Sequence, residues 1–117
     1  MSRTIPIIRL HDTLIVSIQR ELSDELVREL KDDVAQEIRT HDVSGLVIEV
    51  SGVDIFDSYI ARSIRDIAQI TGLLGVRTVL AGLDPGMAIT LVEMGMAMRG
   101  VSTALNLGDA VEMLGDL

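Results

Sequence analysis

Leu46-Val47-Ile48-Glu49-Val50 is a nearly unbroken apolar run, interrupted only by one glutamate. Successive strand residues point to opposite faces, so a strand of this kind has to be covered on both sides. The flanking segments supply the covers. Leu26, Leu30, Val34 and Ile38 recur every fourth residue, with Val27 beside them, which is the buried stripe of an amphipathic helix. Ser23 reads as its N-cap, and Asp24 and Glu25 fall in the first turn, where the helix dipole favours negative charge. Beyond the apolar run, Ser51-Gly52-Val53-Asp54 reads as a loop, and a second helix is expected to begin near Asp57-Ser58. Its stripe is Ile60, Ile64, Ile67, Ala68 and Thr71, with Arg62, Arg65, Asp66 and Gln69 on the wet side. Gly72 and Gly75 bracket its end.

The remaining segments follow the same logic. Ile5, Ile7, Ile8 and Leu10, then residues 14–18, flank the turn signal His11-Asp12-Thr13 and read as a β-hairpin. Residues 76–81 read as a strand. Asp84-Pro85 is the strongest helix start in the chain, an N-cap side chain followed by proline at the first helical position. That helix is expected to reach about Met94 and stop at Gly95. It carries few charges, which predicts that it is mostly buried or touches a partner. Residues 101–104 suit a last strand, and Asn106 caps a last helix with Val111 and Leu114 facing the core. The order β, β, α, β, α, β, α, β, α predicts an α/β fold with a mixed sheet, mainly parallel but opened by an N-terminal hairpin. No linker, repeat or low-complexity segment divides the chain, so one domain is expected to span residues 1–117.

Composition narrows the function. The net charge of -8 opposes nucleic-acid binding, which needs a basic patch, and opposes a polybasic membrane anchor. It suits a soluble protein, expected in the cytoplasm, whose partners are other proteins. There is no cysteine, which removes disulfides, thiolate metal sites and cysteine nucleophiles. The apolar stretch at 79–98 is broken by Asp84, Pro85 and Glu93, so no membrane span is expected. No phosphate-binding loop, dinucleotide fingerprint or nucleophile elbow is present. His11 and His41 sit in turns without a second histidine at ligand spacing. No catalytic residue, metal or cofactor is therefore assigned. An acid/base pair of Asp54 and Asp57 would need a pocket that drives their pKa values apart, and helix capping is the simpler reading. A receiver-type aspartyl phosphoacceptor shares the layer logic but needs a lysine beside the strand ends; Lys31, the only lysine, lies inside the first helix.

Function in open α/β sheets gathers beyond the carboxyl ends of the strands. Asp54-Ile55-Phe56-Asp57-Ser58-Tyr59-Ile60 occupies one such loop and places a serine at a helix mouth beside an aromatic. Either Asp57 or Ser58 can serve as the cap. Arg62 and Arg65 follow at i+4 and i+7 and could reach a phosphate on Ser58 or a partner; alternatively they form a solvated face, with Arg62 paired to Asp66. The methionines at 87, 94, 96 and 98 suit a core or a pliable contact surface, and an anion could bind the N–H groups before Met87.

These residues carry a resemblance. The opening hairpin, the Asp57-Ser58 pair at the second helix and the order of elements resemble the STAS domain, the module of anti-sigma-factor antagonists and sulphate-transporter tails. The stretches Asp57-Ser58-Tyr59-Ile60-Ala61-Arg62, Leu73-Leu74-Gly75, Ala81-Gly82-Leu83-Asp84-Pro85 and Ala88-Ile89-Thr90-Leu91-Val92-Glu93-Met94-Gly95 are similar to the RsbS-type stressosome antagonist. The resemblance implies a non-enzymatic scaffold in a large homo- or hetero-oligomer with STAS-containing sensory paralogues. It implies that an RsbT-type switch kinase is sequestered, that the kinase phosphorylates Ser58 and is thereby released, and that a PP2C-type phosphatase resets the serine. Asp57, Ser58, Tyr59 and Arg62 would then be the partner-binding residues. The alternative is a simple anti-sigma-factor antagonist, but such proteins usually carry a small residue and a glycine where Tyr59-Ile60 stands here.

Overall fold

The computed structural model describes residues 5–19, 22–93 and 101–115. Its elements run β1 (Ile7–Leu10), β2 (Thr13–Ser17), α1 (Asp24–Thr40), β3 (Gly45–Glu49), α2 (Ser58–Leu73), β4 (Arg77–Ala81), α3 (Pro85–Glu93), β5 (Val101–Ala104) and α4 (Leu107–Gly115). This is the order the sequence predicts. The five strands lie side by side in chain order. β1 and β2 pair antiparallel across a two-residue turn in which His11 adopts a φ of 56°. Every later pair is parallel, with Leu14 beside Leu46 and Leu46 beside Thr78. The sheet is therefore mixed, and the hairpin is what makes it so.

The two faces of the sheet are covered unequally. Leu14, Val16, Leu46, Ile48 and Leu80 form a large core with Leu30 and Val34 of α1, Ile60, Ile64 and Ile67 of α2, and Met87 of α3. On the other face, Ile15, Val47, Val79 and Ala81 pack against Ala110 and Leu114 of α4. Leu46 and Val47 are both fully buried, one on each face, as the apolar run requires. Burying a side chain of this size contributes about 1.5–3 kcal/mol, well above what an exposed ion pair gives. Gly45 lets α4 come close, because a Cβ there would lie 2.8 Å from Leu114 Cδ1.

Local signals set the helix starts. Ser23 accepts the Leu26 N–H at 3.1 Å, Asp84 Oδ1 accepts the Met87 N–H at 2.8 Å, and Asn106 Oδ1 accepts the Asp109 N–H at 2.8 Å. The buried line of α1 runs through Val27, Leu30 and Val34. Leu26 and Ile38 are half-buried flanks of that line rather than its centre. α2 buries Ile60, Ala61, Ser63, Ile64, Ile67, Ala68 and Thr71, and it turns into β4 through Gly75 at a φ of 82°. Thr71 and Thr78 share a buried hydrogen bond of 2.8 Å across that junction. In α4, Leu114 is buried and Val111 half-buried.

α3 differs from the mostly buried alternative. Only Met87 and Leu91 are buried, while Ile89 is 58% and Val92 80% exposed. A nine-residue helix with one-sided contact leaves its other side in water whatever that side's composition. The predicted end at Met94–Gly95, together with Met96 and Met98, lies outside the described residues.

Removing the α3 cap tests the local argument. Asp84→Ala leaves the Met87 N–H without its acceptor and is expected to lower stability by about 1 kcal/mol. An unchanged urea midpoint would contradict the capping role.

Candidate functional site

The carboxyl ends of β3, β4 and β5 are laced together. The Val50 N–H donates to the Ala81 carbonyl at 3.0 Å, and the Gly82 N–H donates to the Ala104 carbonyl at 3.2 Å. Gly82 holds a φ of 84°, and a Cβ there would sit 3.1 Å from the Ser51 backbone nitrogen, so the position suits glycine both sterically and conformationally. The Ser51 N–H in turn donates to Glu49 Oε2 at 3.1 Å.

From this end the loop of residues 50–57 leads into α2. Val53 is buried, and its N–H donates to the Val50 carbonyl at 3.1 Å. Phe56 packs against the main core, whereas Ile55 is 67% exposed. Anchored at Val53 and Phe56, the loop delivers Asp57 and Ser58 to a fixed place. Asp57 is the N-cap, and its Oδ1 accepts the Ile60 N–H at 3.0 Å. Ser58 is the first residue of the helix and is half-buried. The structure thus separates two residues that were equally competent to cap. Asp57 takes that task, and the Ser58 hydroxyl is not spent on it. Asp54 and Asp57 are both exposed; no enclosed carboxylate pair is formed.

Tyr59 does not stand free beside Ser58. Its hydroxyl donates to Asp24 Oδ1 at 2.6 Å, tying the first turn of α2 to the first turn of α1. That hydrogen bond, with burial and the Asp24 charge, raises the phenol above its ordinary value of 10.0, while Ser63 and Arg28 act in the opposite sense. Below Tyr59 a groove of about 380 Å³ runs between the two helices. Asp24, Val27, Arg28 and Lys31 line it from α1, and Tyr59, Arg62, Ser63 and Asp66 from α2. The anticipated Arg62–Asp66 pair is not made. Asp66 forms an ion pair with Lys31 of α1 at 3.6 Å instead, because the facing helix offers it a cation across the groove. At α3 the Met87 N–H is already engaged by Asp84, which removes one donor from the anion site considered there.

The STAS domain profile matches residues 4–110. The chain belongs to the STAS family. As a STAS domain it superposes on RsbS from Moorella thermoacetica, solved as a serine-to-glutamate variant, with a TM-score of 0.82 and 36% identity over 96% of this chain and 95% of that one. It matches a chain in the molecular architecture of the stressosome, a signal integration and transduction hub, with a TM-score of 0.80 and 35% identity over 95% and 96% of the two chains. It is also 35% identical over 69 residues to the RsbT co-antagonist protein RsbRD of Bacillus subtilis (strain 168). That match covers 59% of this chain and 25% of RsbRD, so the chain spans about a quarter of that relative. Among the described residues, no helix is long and apolar enough to cross a membrane, and no group of three metal-ligating side chains occurs.

Two groups at this site escaped sequence reasoning in their actual roles. Asp24 was legible only as a first-turn acid and Lys31 only as a helix residue, because their partners lie 35 positions away in each case.

The Tyr59–Asp24 bond has a pH signature. Because the folded phenol is raised, its contribution to stability is complete below the unfolded value and is lost as pH rises through the folded one. Asp24→Asn removes the charge and weakens the acceptor. It is expected to move the Tyr59 ionisation midpoint downward in an ultraviolet absorbance titration, which is read without interference because Tyr59 is the only tyrosine. An unmoved midpoint would contradict the link.

Proposed function

We propose that this STAS domain is a non-enzymatic stressosome scaffold and antagonist that holds a switch kinase until Ser58 is phosphorylated. The observation that carries the reading is Ser58 itself, a half-buried serine at the first position of α2 whose neighbour Asp57 does the capping. Similarity to RsbS at 36% identity over nearly the whole of both chains supports it.

In the proposed step the Ser58 hydroxyl oxygen attacks the γ-phosphorus of ATP held by an RsbT-type kinase. The serine proton is lost, ADP departs, and a phosphoserine remains. Hydrolysis by a PP2C-type phosphatase returns serine and inorganic phosphate. Phosphate at the helix start gains from the dipole and the free N–H groups, while Asp54 and Asp57 oppose it, so folding changes little. Binding changes much more. A kinase packed over Ser58 and the exposed Ile55 would have to desolvate a charge of about -2, which costs several kcal/mol unless the kinase itself supplies a matched cation.

Titration of the kinase against unmodified and phosphorylated protein tests the switch. Affinity is expected to fall on phosphorylation by far more than fivefold, the equivalent of about 1 kcal/mol. Ser58→Ala should hold the kinase and accept no phosphate there, and Ser58→Asp should weaken binding in part. A change below fivefold, or stoichiometric phosphate on another residue, would sink the mechanism.

The scaffold role also needs self-association or co-assembly with STAS-containing sensory paralogues. The exposed Ile89 and Val92 of α3 offer one contact surface. Sedimentation is expected to show assemblies larger than a monomer, alone or with such a paralogue; monomer under both conditions would refute the scaffold.

A further inference from the structure

The groove between α1 and α2 gathers three cations, Arg28, Lys31 and Arg62, against two carboxylates, Asp24 and Asp66. That is a local positive balance on a chain of net charge -8. Both carboxylates are already engaged, Asp66 by Lys31 at 3.6 Å and Asp24 by the Tyr59 hydroxyl at 2.6 Å. Among the described residues neither guanidinium of the groove has an ion pair within 4.0 Å. Arg62 is exposed and so keeps its freedom to move. It also follows Ser58 by one helical turn, which places the two Cβ atoms about 5–6 Å apart on one side of the helix. An arginine side chain spans that distance with its planar fork available for a phosphate.

We propose that Arg62 is the intramolecular counter-ion of phosphate on Ser58. This rests on the reading of Ser58 as the phosphosite and adds what happens to the groove when that site is filled. Before modification Arg62 lines the groove together with Arg28 and Lys31. After it, the guanidinium turns one helical turn back toward position 58, and the groove loses one of its two unpaired cations. Phosphorylation therefore alters two surfaces at once, the helix start that gains the phosphate and the α1–α2 groove that gives up Arg62. A partner that spans both would register the change twice. Lys31 is less available than Arg62, because it pairs with Asp66 at 3.6 Å and lies on the other helix.

The test installs phosphoserine at position 58 during translation, so that no kinase is needed. Phosphorus NMR then follows the second ionisation of the phosphate, which lies near about 6 in an unconstrained chain. In the wild-type protein the helix start and Arg62 lower it, against the carboxylates of Asp54 and Asp57, which raise it. Arg62→Gln should raise it by about half a pH unit, roughly a threefold gain in proton affinity. Arg62→Lys should retain most of the depression, and Arg65→Gln should leave it in place. A phosphate that titrates identically in wild type and Arg62→Gln would overturn the assignment, leaving the helix start as its sole support. A rise in Arg65→Gln instead of Arg62→Gln would overturn it as well. Either failure leaves the kinase titration untouched, so the clamp and the switch are judged separately.

Discussion

Burial of β3 on both faces is the constraint on which this fold depends. Leu46 and Val47 are each fully buried, one toward α1 and α2 and the other toward α4. β3 pairs parallel with β2 and β4, and parallel neighbours have to be joined by crossovers, here α1 and α2 on one face. The same arrangement puts the loops after β3, β4 and β5 at one end of the sheet. Ser58 lies at that end because the segment leaving the most buried strand has to climb over the edge of the core before α2 can return along it.

The site shows a division of labour among neighbouring residues. Asp57 holds the helix start, Val53 and Phe56 anchor the loop, and Tyr59 fastens α2 to α1 through Asp24. Ser58 lies among these fixed points without taking part in the capping or in the interhelical link. Here the capping residue and the candidate acceptor are adjacent but distinct, which lets the acceptor change its chemistry while the helix keeps its start.

Features encoded within a few residues were legible in the sequence. The caps at Ser23, Asp84 and Asn106, the buried stripe of α2 and the order of all nine elements arise from local spacing, and each is found in the structure. What was not legible depends on which helix faces which. The Asp66 carboxylate had Arg62 within reach on its own helix, yet it pairs with Lys31 across the groove. Nothing near Tyr59 in the sequence points to Asp24. The sequence left two readings of α3, burial or a partner contact, for a related reason: Ile89 and Val92 are as apolar as core residues, and only the position of the helix over the sheet shows that they are not part of the core.

The uneven cover of the sheet gives the molecule two layers of different endurance. α1 and α2 together shield one face, whereas the other rests on α4, a nine-residue helix seated through Ala110 and Leu114 over the bare backbone of Gly45. With only Ala110 and Leu114 buried, α4 is expected to open at a lower free energy than the larger core on the other face. Amide hydrogens of α4 should therefore exchange with solvent long before those of β3, and each such opening uncovers Val47 and Val79 while the Ser58 face stays shut. The two sides of one sheet then live on separate clocks, a slow one behind the candidate phosphosite and a fast one behind α4.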